Sequence, residues 1–464
     1  MFVPLPYRAS ALLCAMGTVL SCGWAGCGGD TDIIGRCEVT GEPVRVVPQH
    51  FSGPGPASIG LVGGDVLLSW ADIGPIDAET GYPWYAVQFA RWHDHGLRPF
   101  GEDLHLGAFQ WNFRTRWVSD GERLLGQVWS DPEYAGTGPF PRDTEMVGVW
   151  TLEPGGAASR VPVDLSFATP GIPGQWSVDI GRASGAGMLP GAWDGMRWLG
   201  ALTALTCGGR FDNYRRLWVF DETGHAEVWD RPPSCREDAG VPPVGSIAEH
   251  PWVFELGDGG HGLVFMRDQG QLWLSRVEAD LSPAPPRRVA AGTLLHTDAV
   301  GPRAVAVGGH VLFSQTRGSN EPCFRLRVMD LDGSDAEDAP WQLPCMDDSD
   351  VVVPDVELLA MPGAALLVWA ERSGPWSRLV YPADRYVERV RAVLLTSEGK
   401  RGSAVVTVTD SAAGTLVYGA GVGLPGRFNP VGASEDAEAI VAWSDARAGG
   451  PGVYARWLRC EVDR

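Results

Sequence analysis

The chain has 464 residues, with 37 Lys+Arg against 57 Asp+Glu and a formal charge of −20. At 44% hydrophobic and 20% charged residues, it has the material for a large core and lacks the composition of a disordered chain. The negative charge argues against a phosphate-backbone partner, which needs a concentrated basic surface.

The amino terminus reads as an export signal. Arg8 is its single positive charge, an apolar stretch runs from Ala9 to Leu20, and small residues with cysteines follow. That stretch is too short for a stable membrane anchor. The ending around Ala25-Gly26-Cys27 resembles a bacterial lipoprotein signal, in which small residues precede a cysteine that becomes lipidated. The resemblance implies lipidation at Cys27, with Cys22, after Val19-Leu20-Ser21, as the alternative. Glycine after Cys27 points, by the same resemblance, to the outer rather than the inner membrane. If Cys14 and Cys22 leave with the signal, Cys37, Cys207, Cys235, Cys323, Cys345 and Cys460 remain. An even number in an oxidising compartment suggests three disulfides. The domain reading is therefore 1–27 signal and lipidation site, 28–36 tether, and 37–464 one folded domain.

Internal repeats set the expected fold. An apolar strand-type run recurs at Val66–Asp72, Leu124–Asp131, Trp198–Leu205, Gly262–Asp268, His310–Arg317, Ala365–Arg372 and Ala439–Arg447. Successive starts are roughly 50 to 75 residues apart, near one four-stranded blade plus loops. After a variable link comes a second alternating run: Trp84–Trp92, Met146–Leu152, Arg216–Asp221, Gln271–Glu278, Phe324–Asp330, Arg391–Thr396 and Val453–Leu458. Short polar turns close several of these, at His93–Gly96, Asp221–Gly224, Asp330–Gly333 and Ser397–Gly399. A short strand with a Gly-rich turn precedes, as in Ile59–Asp65, Arg116–Gly121 and Ala304–Gly309. In each repeat these are strands A, B and C, with fragments such as Arg287–Ala291 and Trp341–Pro344 supplying D. No helical period persists.

The last repeat, Val441–Ala455, has the form VAWxDxRxG followed by Val-Tyr-Ala and resembles a repeat of secreted bacterial β-propellers. The resemblance implies an all-β, single seven-bladed propeller, with six and eight blades as alternatives. The chain ends on the third strand of the last blade, so the fourth, Pro43–Pro48, is expected from the amino terminus, and Cys37–Cys460 is expected to seal the ring. Cys207–Cys235 and Cys323–Cys345 would each tie a B–C loop to a D–A loop.

Several motifs carry potential chemistry. His93-Asp94-His95 has metal-ligand residue types, but falls in a C–D hairpin turn. Asp330-Leu-Asp332-Gly-Ser-Asp335 looks like a calcium loop without its later Glu, and reads as turn chemistry. Trp70-Ala-Asp72, Trp129-Ser-Asp131, Trp369-Ala-Glu371 and Trp443-Ser-Asp445 read as tryptophans packed between blades, with acids accepting hydrogen bonds in the B–C turn and Arg372 and Arg447 as their partners. No nucleophile elbow, P-loop or Asp box is present, and no Gly-x-Gly-x-x-Gly fingerprint opens a helix.

The B–C links Ala71–Tyr85 and Ser130–Glu145 combine carboxylates with aromatics, a mixture suited to sugar rings or a protein hot spot. Asp77, Glu79, Tyr82, Trp84, Asp131, Glu133 and Tyr134 are the candidate binding residues. The expected function is a monomeric envelope lipoprotein, without cofactor or metal, whose propeller recognises or scaffolds a protein or glycan. The alternative is an extracellular carbohydrate-active enzyme using paired carboxylates such as Asp77 and Asp131.

Overall fold

Apolar runs rich in β-branched and aromatic residues, punctuated by glycine and Asp-Gly turns, leave the chain little choice but short antiparallel strands. A computed structural model describes residues 34–46, 57–62, 65–76, 78, 83–93, 96–101, 104–108, 114–119, 124–129, 148–152, 155–161, 189–191, 197–209, 212–221, 223–228, 248–256, 260–267, 271–278, 280–290, 302–317, 323–333, 335–344, 351–361, 363–373, 387–410, 436–445 and 452–462. Among them there are strands and turns, and no helix.

Strand β1 is Gly35–Val46. The next sheet holds β2 (Ala57–Val62), β3 (Asp65–Ile76), β4 (Pro83–His93) and β5 (Gly96–Pro99), with β6 (Leu104–Ala108) on the same edge of β4. Then come β7 (Arg114–Ser119), β8 (Leu124–Trp129), β9 (Gly148–Leu152) and β10 (Ala158–Val161), and after them β11 (Leu189–Gly191), β12 (Arg197–Gly209), β13 (Asp212–Phe220) and β14 (His225–Glu227). The following sheet is β15 (Ala248–Glu255), β16 (His261–Arg267), β17 (Gln271–Val277) and β18 (Arg287–Ala290). Two further four-stranded sheets are β19 (Arg303–Val307), β20 (His310–Arg317), β21 (Cys323–Asp330) and β22 (Glu337–Asp338), and β23 (Val351–Met361), β24 (Ala364–Ser373), β25 (Val387–Leu395) and β26 (Val406–Asp410). Strands β27 (Asp436–Asp445) and β28 (Gly452–Val462) complete the chain.

Each sheet is an antiparallel meander in chain order, except the last, which runs β1-β28-β27. The expected amino-terminal strand is therefore present, and it is longer than read from the sequence. It starts at Gly35, so Cys37 and Cys460 lie inside strands, directly opposite each other, and are disulfide-bonded. The bond joins residues 423 positions apart.

The tight A–B hairpin between β19 and β20 shows how the turns are specified. Val307 pairs with His310 across Gly308 and Gly309, both with positive φ, which is the conformation a two-residue primed turn demands. Elsewhere glycine makes room for an aromatic ring. Gly262 lies opposite Phe254 and Gly200 opposite Phe220, and a Cβ at either would sit 2.2 or 2.5 Å from the ring.

The core lies between sheets rather than within one. Trp369 of β24 packs with Val305, Leu312 and Phe324 of the preceding sheet, and Trp443 of β27 with Leu366, Val368 and Val390. Trp70 of β3 packs with Ile440, Ala442 and Val453 of the β27–β28 sheet. Similar clusters join the β11–β14 sheet to the β15–β18 sheet, and that to the β19–β22 sheet. The first strands also touch in succession, β2 with β7, β7 with β11, β11 with β15, β15 with β19 and β19 with β23. Each sheet thus packs against the one before it, the β2–β6 sheet packs against the last, and the arrangement is all-β and propeller-like.

Three sequence readings need correction. Trp341–Pro344 is not the fourth strand of its sheet; that strand is Glu337–Asp338. The Gln342 side chain instead does a strand's work, accepting from the Leu326 N–H at 3.0 Å and donating to its carbonyl at 2.8 Å. Cys207 lies within β12 rather than in the loop after it, and Cys323 is the first residue of β21. The first B–C link shrinks because β3 runs to Ile76 and β4 begins at Pro83.

Candidate functional site

The predicted binding residues divide by position. Trp84 is a strand residue of β4, opposite Ala108 of β6, and not a loop residue. Asp77, Glu79 and Tyr82 fall in the β3–β4 link, and Asp131, Glu133 and Tyr134 in the β8–β9 link, all outside the described residues. Cys22, Cys27, Cys235 and Cys345 also lie outside them. His93 ends β4 and pairs with Gly96 of β5, and Asp94 and His95 between them lie outside the described residues.

Asp330-Leu-Asp-Gly333 forms a turn, and Ser334 lies outside the described residues. The Gly333 N–H donates to the Asp330 carbonyl at 3.2 Å, and the Asp330 carboxylate lies 3.1 Å from His310 Nε2. Arg287 Nη1 donates to the Gly333 carbonyl at 2.5 Å, placing a fixed cation where a metal ion would need oxygen ligands to itself.

What the structure does bring together is a chain of three side chains on three successive first strands: Trp252 on β15, Arg303 on β19 and Glu357 on β23. Arg303 Nε donates to Glu357 Oε1 at 3.0 Å, and its guanidinium lies 4.4 Å over the Trp252 ring. Trp252 Nε1 donates to the Ala304 carbonyl at 3.1 Å. Arg303 also reaches the Pro302 carbonyl through Nη1, while its backbone N–H donates to Ser314 Oγ. The two charged side chains are only 7% and 14% exposed. A guanidinium suits this place because it is planar, weakly hydrated and able to stack on indole while forking to a carboxylate. The arrangement neutralises a buried cation and fixes the mutual position of three sheets.

A second pair sits on β24 and β25, its acid buried and its guanidinium half-buried. Glu371 lies 3.0 Å from Arg391 Nε and accepts from Trp369 Nε1 at 3.4 Å. Sequence reading paired Glu371 with its neighbour Arg372 in a B–C turn. The acid is instead inside a strand, and its partner comes from the next strand, where Arg391 stands opposite Trp369. Three of the four repeat tryptophans, Trp70, Trp369 and Trp443, pack between sheets as expected; the side chain of Trp129 is outside the described set.

His261, at the start of β16, is buried, and its Nε2 has no hydrogen-bond partner. Burial alone holds its pKa below the ordinary 6.5, because the charged ring would lose its hydration. Among the described residues no cluster of three or more His, Cys, Asp or Glu is placed to hold a metal ion.

Sequence reasoning missed Trp252, Arg303 and Glu357. The available signal was their spacing: Arg303 and Glu357 are 54 residues apart, one repeat, and so occupy comparable places on successive first strands.

No protein-family model matches the chain, and no curated protein does. Among solved structures it is similar to a protein of unknown function from Dyadobacter fermentans, at 12% identity and TM-score 0.42, covering 92% of this chain and 99% of that one. It is similar to polysaccharide lyase Uly1 at 9% identity and TM-score 0.43, covering 90% and 91%. A third is the sialidase of Trypanosoma rangeli, at 8% identity and TM-score 0.39, covering 91% of this chain and 58% of the sialidase.

Proposed function

We propose that the chain is a lipid-anchored seven-bladed β-propeller of the bacterial cell envelope, acting as a non-enzymatic recognition or scaffold surface for a protein or glycan. The observation that carries this reading is the bracing of the frame. The two ends of the chain share one sheet and one disulfide, and Trp252, Arg303 and Glu357 lock three adjacent first strands. Such a frame holds its connecting links at fixed positions while leaving their sequence free to vary, which is how rigid scaffolds present binding loops. The β3–β4 and β8–β9 links leave the same end of two adjacent sheets, and they contain Asp77, Glu79, Tyr82, Asp131, Glu133 and Tyr134. Aromatic rings and carboxylates at that end offer stacking and hydrogen bonding to a sugar or a peptide. In this reading Cys27 carries the lipid, the outer membrane is the address, and Cys207–Cys235 and Cys323–Cys345 are the two further disulfides.

The test is binding without turnover. The full chain is screened on a glycan array and crosslinked in intact cells, and polysaccharide breakdown is followed in parallel. Retention of a specific glycan or protein, weakened by Asp77→Asn with Tyr82→Ala or by Asp131→Asn with Tyr134→Ala, is the expected result. Polysaccharide cleavage abolished by Asp77→Asn or Asp131→Asn would replace this reading with the enzymatic one.

A further inference from the structure

The direction of β1 fixes which end of the molecule the amino-terminal tether leaves. Gly35 pairs with Val462 at the far end of β28, and the strand then runs back to Val46 opposite Val453. Ile34 is held at that end: its N–H donates to the Gly402 carbonyl at 2.9 Å, and its side chain fills the space over Gly402, where a Cβ would meet it at 2.5 Å. Gly402 directly follows the turn between β25 and β26. The chain therefore enters the fold on the face that carries the A–B and C–D turns. The β3–β4 and β8–β9 links leave from the opposite face.

We infer that the turn face, centred on Ile34, Gly402 and Lys400, is the surface turned toward the lipid bilayer, and that the B–C links point away from it. The inference rests on the proposed lipidation of Cys27. Seven residue steps separate Cys27 from Ile34, a contour of at most about 25 Å. The ten residues of β24 separate the two faces by about 30 Å. A tether of that reach starting on the turn face cannot bring the other face to the same bilayer without the body of the protein intervening. Charge does not act as the glue. Glu278, Asp280, Asp330, Asp332 and Glu398 are exposed on the turn face, and Glu278, Asp330 and Glu398 are paired with Arg276, His310 and Lys400. A face of this composition has no net attraction for anionic headgroups, so the tether alone sets the geometry.

The chain supplies its own reporter, because Lys400 is its one lysine. The full chain, produced with its own signal and reconstituted into phosphatidylcholine vesicles, is labelled with an amine-reactive fluorophore. A second protein moves the label to the other face as Ser373→Lys in a Lys400→Arg background, and Lys400→Arg alone gives the amine background. A headgroup-bound quencher should quench the Lys400 label severalfold more than the Ser373→Lys label. Mass analysis of the amino-terminal peptide reads lipid on Cys27 in the same samples. Equal or reversed quenching on Cys27-lipidated protein overturns the orientation and leaves the anchor standing. Lipid on Cys22 alone makes the tether longer than the body is tall and overturns the orientation, and lipid on neither cysteine overturns the anchor with it.

Discussion

Removing the Cys37–Cys460 bond by substituting both residues with alanine tests what holds the two chain ends in one sheet. The bond closes a loop of 423 residues, and the chain-entropy relation gives about 6 kcal/mol for that length at 25 °C. Measured losses for native disulfides run at about 2–5 kcal/mol, so the relation is an upper bound. An unfolding entropy of about 2.1 cal/mol/K per residue, over a domain of this size, converts about 2–6 kcal/mol into a Tm decrease of about 2–7 °C. The strand pairing from Gly35 to Val46 stays available in the variant, so the fold should survive and the far-ultraviolet spectrum should not change. Using the double alanine variant rather than a reductant leaves the remaining cysteines untouched. Calorimetry of the variant beside the parent gives the shift directly. A Tm unchanged within 1 °C would show that β1 and β28 stay together in the unfolded ensemble and that loop closure is not the source of stability; the entropic reasoning would then be wrong.

Glu357→Gln removes the carboxylate that compensates buried Arg303 and should cost about 3–5 kcal/mol in urea unfolding, whereas Arg303→Met with Glu357→Leu should be far milder. If the single and double variants unfold at the same urea concentration, the pair is not the brace described above. Gly262→Ala drives a Cβ into the Phe254 ring and should lower stability by about 1–3 kcal/mol; a midpoint equal to the parent's refutes the close packing. His261 has a folded pKa below its unfolded value, so the unfolded chain takes the proton first and stability falls as pH drops through about 6.5. His261→Leu should flatten that acid slope of Tm, and an unchanged slope would assign it to other groups.

The parts of the fold that were legible are those whose residues are buried on both sides. Leu366, Leu367, Val368 and Trp369 are all within 2% of full burial, so the B strand reads as an unbroken apolar run. The outer strands lack that signature. Glu337–Asp338 is two exposed acids, and the apolar Trp341-Gln-Leu-Pro beside it attracted the assignment instead. The partner of Glu371 was illegible for another reason: which residues oppose one another is set by the register of two strands joined by a link of no fixed length. The proposed binding loops were found by composition alone, which marks residue types and gives no geometry. The Trp252–Arg303–Glu357 chain carries no local motif, and only the comparison of equivalent places in successive repeats brings it into view.

The sheet that joins β1 to β28 also imposes an order in time. Gly35–Val46 cannot pair until Gly452–Val462 has been made, more than 400 residues later. Until then β27 and β28 have an unpaired edge, and Gly35–Val46 waits as an extended segment with nothing to add itself to. Contacts of such separation make for slow folding and a long window in which the open edge can recruit another copy. Refolding from urea should therefore lose yield steeply as protein concentration rises, and a chaperone that shields strand edges would have its best substrate in the chain just before β1 docks on β28.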